Sequence, residues 1–187
     1  MENLLRLTKR EELRSWLLLN SSLEKYCWVV ISITPKPETL LYLDVVEEAI
    51  CFGWIDGIKK KHTNNQLLQR ISPRSKKSSW TELNKQRAIR LEKLGLMTEH
   101  GRNVLPDLYE KDFIIDEAIE NRLRENENTY NNFMSFPELY RKIRLDTIIQ
   151  VKNNPELFEK RLNKLIINTR NGKMYGAWND HGRLIDY

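Results

Sequence analysis

The segment Glu47–Gly57 reads Glu-Glu-Ala-Ile-Cys-Phe-Gly-Trp-Ile-Asp-Gly and joins a predicted helix directly to a predicted strand. The apolar spacing before it predicts an amphipathic helix that runs from Asp44 to about Phe52. Gly53 is a natural stop for this helix, because glycine adopts the backbone conformation found just after helix ends. The β-branched and aromatic residues of Trp54–Lys61 then predict a strand. We expect this junction to organise the fold.

The neighbouring segments place that strand in a sheet. A second strand is predicted over Leu67–Ser72, and Asn64 and Asn65 tolerate the turn conformations needed to close a hairpin. Upstream, the sequence predicts a helix over Lys9–Asn20 and a largely buried strand over Tyr26–Ile33. The pattern therefore predicts an α+β fold with a small antiparallel sheet, in which a hairpin is packed by helices.

The chain after Pro73 is almost entirely helical in pattern. Helix-start signals stand at Thr98, Asp116, Pro137 and Asn154. The polar stretch Asn126–Asn132 is the best candidate for a domain boundary. We therefore expect residues 1–126 to form an α+β domain and residues 127–187 to form a mainly helical C-terminal region that packs on it.

Composition limits the class of protein. Of the 187 residues, 40% are hydrophobic and 30% are charged, which predicts a folded globular chain. It contains no run of about 18 apolar residues, and its start lacks the pattern of a secretory signal. We therefore expect a cytoplasmic protein without membrane insertion. Cys27 and Cys51 lie in apolar surroundings without a CxxC motif, which predicts two buried thiols in a reducing compartment.

Charge is distributed unevenly along the chain. Residues 58–90 contain ten Lys or Arg residues and one acid, whereas residues 107–127 contain eight acids and three bases. Attraction between these two segments is one explanation. Contact with a polyanion is the other, and nucleic-acid binding would then fall steeply with salt.

Several kinds of site are not supported by the sequence. The three histidines, His62, His100 and His181, have no Cys or His partner at ligand spacing, so we expect no metal. No nucleophile motif and no phosphate-binding glycine fingerprint occurs, so we expect no cofactor.

Residues that suit ligand binding gather on the hairpin and just after it. Alternate residues of a strand share a face, so Trp54 and Asp56 should point together, and we expect Asp56 to meet Arg70. These side chains could form a buried ion pair with tryptophan anchors. They could instead line a pocket for an anionic or polar ligand, because arginine matches phosphate or carboxylate with two parallel donors. The candidate ligand-binding residues are Trp54, Asp56, Arg70, Arg74, Trp80 and Asn84.

These motifs resemble a known bacterial family. The matching residues are Glu47–Gly57, Arg70–Arg74, Ser79-Trp80, Asn84 and Gly95–Met97. Together they resemble the YdeI/OmpD-associated family, also described as bacteriocin-protection proteins. The resemblance is strongest from Trp16 to Gly101, while Phe136–Tyr140 and Lys160–Leu162 carry weaker signals of the same kind.

The resemblance implies a bacterial protein linked to tolerance of bacteriocins or antimicrobial peptides, and it brings no catalytic residues with it. Our preferred hypothesis is a cytoplasmic, non-catalytic protein that binds an anionic or polar ligand during stress, on the surface formed by Asp56, Arg70, Arg74 and Trp80. An anionic small molecule or a polyanion is the partner that we expect. One alternative is a small enzyme in which Asp56 acts as acid or base while Arg70 and Arg74 stabilise negative charge. A nucleic-acid-binding protein is the other.

Overall fold

A mixed sheet lies at the centre of the N-terminal part of the protein. In the computed structural model, which describes residues 2–62, 66–109 and 114–187, this sheet has five strands. They are β1 (Leu4–Leu5), β2 (Cys27–Ser32), β3 (Leu40–Leu41), β4 (Trp54–Lys61) and β5 (Leu67–Pro73). The strand order is β1-β2-β5-β4, with β3 also paired to β2.

Strand direction differs from the antiparallel sheet expected from the sequence. β5 is antiparallel to both β2 and β4, whereas β1 and β3 run parallel to β2. These two parallel strands have two residues each, too few to show an alternating pattern. The predicted hairpin strands are present as β4 and β5, and the Asn64-Asn65 turn lies outside the described residues.

Eight α-helices accompany the sheet in the described part of the chain. They are α1 (Arg10–Asn20), α2 (Tyr42–Cys51), α3 (Glu82–Lys93), α4 (Glu99–Arg102), α5 (Glu117–Arg124), α6 (Glu127–Ser135), α7 (Glu138–Ile149) and α8 (Pro155–Arg170). A 3₁₀ turn at Asp180–Gly182 follows. The predicted α+β class is confirmed. None of the helices in the described residues combines the length and apolar character needed to cross a bilayer.

The chain divides into two units of dense internal contact. The N-terminal unit is Met1–Ser79 with Arg87–Leu108, and the C-terminal unit is Trp80–Gln86 with Tyr109–Tyr187. We expected a boundary after residue 126, whereas α5 already lies in the C-terminal unit. The reason is packing, because Ile119 and Leu123 of α5 share a buried cluster with side chains of α6, α7 and α8.

The two faces of the sheet carry different neighbours. Asp56 pairs with Ile71, and Ile71 pairs with Cys27, so these three residues share one face. This face lies toward α2, because the Asp56 carboxylate accepts a hydrogen bond from the hydroxyl of Tyr42. The opposite face carries a separate buried cluster that includes Trp28.

A cluster of five charged side chains, which we call the ion cluster, ties α1, α2 and α3 together in the N-terminal unit. Glu47 accepts hydrogen bonds from Arg10 Nη1 at 2.5 Å and Arg90 Nη1 at 3.0 Å. Glu48 accepts from Arg10 Nε at 2.5 Å and Arg14 Nη1 at 3.0 Å. Both carboxylates are only 1% exposed. Carboxylates buried this deeply require charged partners, and each of them has at least two.

Candidate functional site

A cavity of about 240 Å³ lies in the N-terminal unit, where α2 ends and β4 begins. Its walls include Phe52, Gly53 and Trp54. Its polar lining comes from Ser21, Ser22, Arg74, His100 and Asn103. Three segments thus meet at the turn formed by Phe52, Gly53 and Trp54, which we call the Phe-Gly-Trp turn. They are the segment after α1, the segment after β5 and the short helix α4.

Gly53 allows this convergence. Its φ of +71° is in the left-handed region, and a Cβ there would lie 2.7 Å from the carbonyl oxygen of His100. The α4 segment is held close because Thr98 donates to the Cys51 carbonyl oxygen from its hydroxyl at 2.6 Å and from its backbone N–H at 3.1 Å. Gly101 faces the same carbonyl, with no room for a Cβ. Two glycines therefore let α4 form one side of the cavity.

Arg74 places a positively charged guanidinium at the cavity. Its residue is 6% exposed, its backbone N–H donates to Gly53 O at 2.8 Å, and its Nη1 donates to Ser79 O at 3.0 Å. Burial lowers the pKa of the guanidinium, while the Asp56 carboxylate acts in the opposite direction. The cavity therefore contains a buried cation that attracts negative charge.

Trp54 lines the cavity as a fixed part of the core. It is 1% exposed, and its Nε1 donates to Ser21 O at 3.2 Å. Its ring meets that of Trp16 edge to face, with centroids 6.0 Å apart and an interplanar angle of 86°. A side chain held on so many sides shapes the wall, and it offers a ligand little open ring surface for stacking.

Asp56 lies near the cavity without lining it. Its Oδ2 accepts a hydrogen bond from the Tyr42 hydroxyl at 2.7 Å, which occupies one carboxylate oxygen. Its charge reaches Arg74 electrostatically. Asp56 therefore influences the cavity through Arg74.

The structure places Arg70 on the opposite face of the sheet. Asp56 is in register with Ile71, whereas Arg70 is in register with Trp28. Successive residues of a strand point to opposite faces, so the expected Asp56–Arg70 ion pair is wrong. The Arg70 guanidinium instead lies 4.7 Å from the centre of the Tyr26 ring.

Trp80 and Asn84 belong to the C-terminal unit. Both are half-buried, and the backbone N–H of Asn84 donates to the Thr81 hydroxyl at 3.1 Å where α3 begins. Of the six predicted ligand-binding residues, Trp54 and Arg74 are the two that line the cavity. The ligand-binding role of the six stays a prediction.

Four polar residues of the cavity were not predicted. Ser21 and Ser22 follow α1, and His100 and Asn103 lie on and after α4. They are distant in sequence from the hairpin, and no local motif marks them. The start signal at Thr98 was the one indication that this segment returns to α2.

The donors around the cavity suit an anion. A guanidinium, an imidazole, two hydroxyls and a side-chain amide can all direct N–H or O–H groups toward a ligand. Among the described residues, no group of three or more His, Cys, Asp or Glu side chains is placed to hold a metal ion.

A larger cavity of about 670 Å³ lies elsewhere in the N-terminal unit, beside Val30. Arg6, Lys9 and Glu38 line it, and all three are exposed. It contains none of the predicted ligand-binding residues, and its mixed charges favour no single class of ligand.

Comparison with known families assigns the two parts of the chain separately. Residues 5–104 match the family model described as a domain of unknown function (DUF8412), and residues 112–172 match that described as bacteriocin-protection, YdeI or OmpD-associated. No curated protein and no solved structure matches the chain. The family inferred from the sequence is thus confirmed, but in the C-terminal part, where its signals were weaker. The chain therefore belongs to the DUF8412 family through its first half and carries a bacteriocin-protection, YdeI or OmpD-associated region in its second.

Proposed function

We propose that this protein is a non-catalytic binder of a small anionic or polar ligand, held in the N-terminal cavity. In this proposal it acts in the cytoplasm and contributes to tolerance of stress, bacteriocins or antimicrobial peptides. The match of residues 112–172 to the bacteriocin-protection family supports the biological part. The biochemical part is supported by the cavity.

The observation that carries the proposal is the Arg74 guanidinium in a cavity with hydroxyl, amide and imidazole groups around it. A buried cation attracts an anion strongly, because the effective dielectric constant there is well below that of water. The volume of about 240 Å³ is smaller than the ~300–1,000 Å³ typical of drug-sized ligands. The cavity therefore suits a phosphate, a carboxylate or another small polar group.

The position of Asp56 favours binding over catalysis. A general acid or base must reach the proton that it transfers, within about 2.6–3.2 Å or through one water. Asp56 does not line the cavity and accepts a hydrogen bond from Tyr42. The enzyme alternative therefore has less support than binding.

A thermal-shift screen across phosphates, nucleotides, organic acids and oligonucleotides tests the proposal, followed by calorimetric titration of any compound that raises the Tm. Arg74→Gln should weaken binding by about tenfold or more, because hydrogen bonds to charged groups are worth ~1.5–3 kcal/mol. Arg70→Gln is the matched control, since it removes the same charge from β5, shortly before Arg74, on the face of the sheet opposite Asp56. It should bind like the wild type.

A second variant covers the case in which Arg74→Gln fails to fold. His100 is exposed at the cavity, so His100→Ala should reduce binding while preserving the Tm. The proposal would be overturned if no compound shifts the Tm, or if His100→Ala binds as tightly as the wild type. An oligonucleotide that binds wild type and loses affinity with Arg70→Gln would favour the nucleic-acid alternative.

The biological part has its own test. Cells lacking the gene are challenged with bacteriocins and complemented with the wild-type protein or with His100→Ala. We expect the wild type to restore survival and the variant to restore less. Equal survival with and without the wild-type protein would contradict the tolerance role and leave ligand binding to be judged by titration.

A further inference from the structure

Three cations surround one tyrosine in the C-terminal unit. Arg144 lies on α7, and Arg161 and Lys164 lie three residues apart on α8, so the latter two share a helix face. The Arg144 Cζ lies 5.1 Å from the centre of the Tyr175 ring, and the Lys164 Nζ lies 4.9 Å from it. Arg161 is close enough to act electrostatically on the same tyrosine.

None of these three cations has an acidic partner in the part of the chain that the structure describes. Among the described residues, no carboxylate oxygen lies within the 4.0 Å limit of an ion pair from Arg144, Arg161 or Lys164. Elsewhere in the same unit, Arg124 pairs with Glu120 at 2.7 Å. Like charges held together repel, so this arrangement favours an anion that neutralises them.

The local structure holds the cluster in a defined geometry. The Arg144 guanidinium contacts two rings, with its Cζ 5.8 Å from the Tyr140 centroid in addition to the Tyr175 contact. Gly176 has a φ of +75°, and a Cβ there would lie 3.0 Å from Arg144 Nη1, so the backbone passes directly against this cation. Arg161 is fixed from the other side, because its Nη1 donates to the carbonyl oxygen of Thr147.

One donor of the cluster remains unused. The Nε of Arg144 is buried and has no hydrogen-bond partner among the described residues. This atom is closed to solvent, so a ligand would not bind it directly, and the charge of the guanidinium acts instead on an anion held at the exposed Lys164.

We propose that Arg144, Arg161 and Lys164 form a phosphate-binding site in the C-terminal unit, separate from the N-terminal cavity. Phosphate suits the site better than a carboxylate does, because a doubly charged group offsets three cations more fully. It also presents several acceptor oxygens to the planar forks of two arginines and the point charge of a lysine. The ligand is a phosphomonoester or inorganic phosphate, free or as a lipid headgroup.

Calorimetric titration of the full chain with inorganic phosphate and with glycerol phosphate tests the site, and vesicles with phosphatidic acid form a separate arm. Lys164→Gln is the decisive variant, because Lys164 is exposed and its replacement should leave the Tm unchanged. We expect affinity to fall about tenfold, the equivalent of ~1.4 kcal/mol. Arg144→Gln should lower it at least as much. A loss in the vesicle arm alone would identify the lipid headgroup as the source of the phosphate.

Two controls separate this site from general electrostatics and from the cavity. Arg124→Gln removes one positive charge from the same unit and should keep the affinity within about twofold, as expected for an exposed, paired cation. Arg74→Gln alters the cavity and should retain this second site. The inference is refuted if Lys164→Gln binds like Arg124→Gln in every arm, or if neither soluble phosphate nor vesicles bind the wild type.

Discussion

Replacing Gly53 by alanine separates backbone strain from steric overlap, because Gly95 provides a matched comparison. The two glycines have nearly equal φ angles, +71° and +68°. A Cβ at Gly53 would lie 2.7 Å from His100 O and 3.2 Å from Val104 Cγ2, whereas a Cβ at Gly95 would meet nothing within 4 Å. The left-handed backbone should therefore cost both alanine variants the same ~1–2 kcal/mol. Overpacking should cost only the first a further ~1–3 kcal/mol.

The expected loss in the free energy of unfolding is thus ~1–2 kcal/mol for Gly95→Ala and ~2–5 kcal/mol for Gly53→Ala. The His100 carbonyl cannot retreat freely, because Thr98 fastens the start of α4 to Cys51 by two hydrogen bonds. Urea unfolding followed by tryptophan fluorescence and circular dichroism measures both losses, provided that the m-values agree. Equal losses in the two variants would refute the close approach of α4 to the Phe-Gly-Trp turn.

Three further predictions concern charge and burial. Glu47→Gln should lower the free energy of unfolding in urea by ~3 kcal/mol or more, because it breaks a buried ion pair. Glu92→Gln, at an exposed pair, should lower it by ~0–1 kcal/mol. Similar losses in the two variants would contradict the role given to burial. Both cysteines should resist a thiol reagent until the protein unfolds, because burial raises the pKa of each thiol to about 12; fast labelling of the folded chain would count against this. The Lys152 ammonium lowers the pKa of Asp116 from its ordinary 3.8, so this pair contributes stability above that pH and loses it as pH falls through the lowered value. In the Lys152→Gln variant, the Tm should therefore fall less than in the wild type as the pH is lowered. An equal fall of Tm with pH in both proteins would refute the pairing.

Local signals in the sequence predicted most of the helices and strands. At one helix cap the prediction was wrong by a single residue. β4 begins and ends where expected, and Asn154 caps α8 as its sequence indicates. At α1, however, the capping-box spacing of Thr8 with Glu11 indicates the wrong acid, because Glu12 accepts from the backbone N–H groups of Thr8 and Lys9. Capping residues of the same chemistry stood side by side, and spacing alone chose the wrong one.

The polar composition of the stretch after Asn126 did not indicate the helix α6 that forms there. The stretch after Asn126 was expected to be a boundary, yet it forms α6, with the Asn126 side chain accepting from the Thr129 backbone N–H at 2.9 Å. Its buried residues, Thr129 and Phe133, are too few to give a clear apolar period. Packing against α5 and α8 stabilises α6, and a sequence does not display tertiary packing.

The site was predicted in part because alternation along one strand is visible in sequence, whereas register between strands is not. Trp54 and Asp56 share a face as expected, but the pairing of Asp56 with Ile71 puts Arg70 on the other side. A shift of one residue in register reverses every side chain, so the Asp56–Arg70 hypothesis depended on a quantity that the sequence left undetermined. His100 could not be found at all, since its place depends on the return of α4 to α2.

The ion cluster has a consequence for how this chain can change over generations. Arg10 pairs with both carboxylates, and Glu47 pairs with at least two arginines, so the loss of any one member leaves a neighbouring side chain with an uncompensated charge. Substitutions at sites linked in this way do not add, and a second change can rescue the first only when it removes the stranded charge. The five positions should therefore be inherited as a block, and relatives that lack one of them should have exchanged several together.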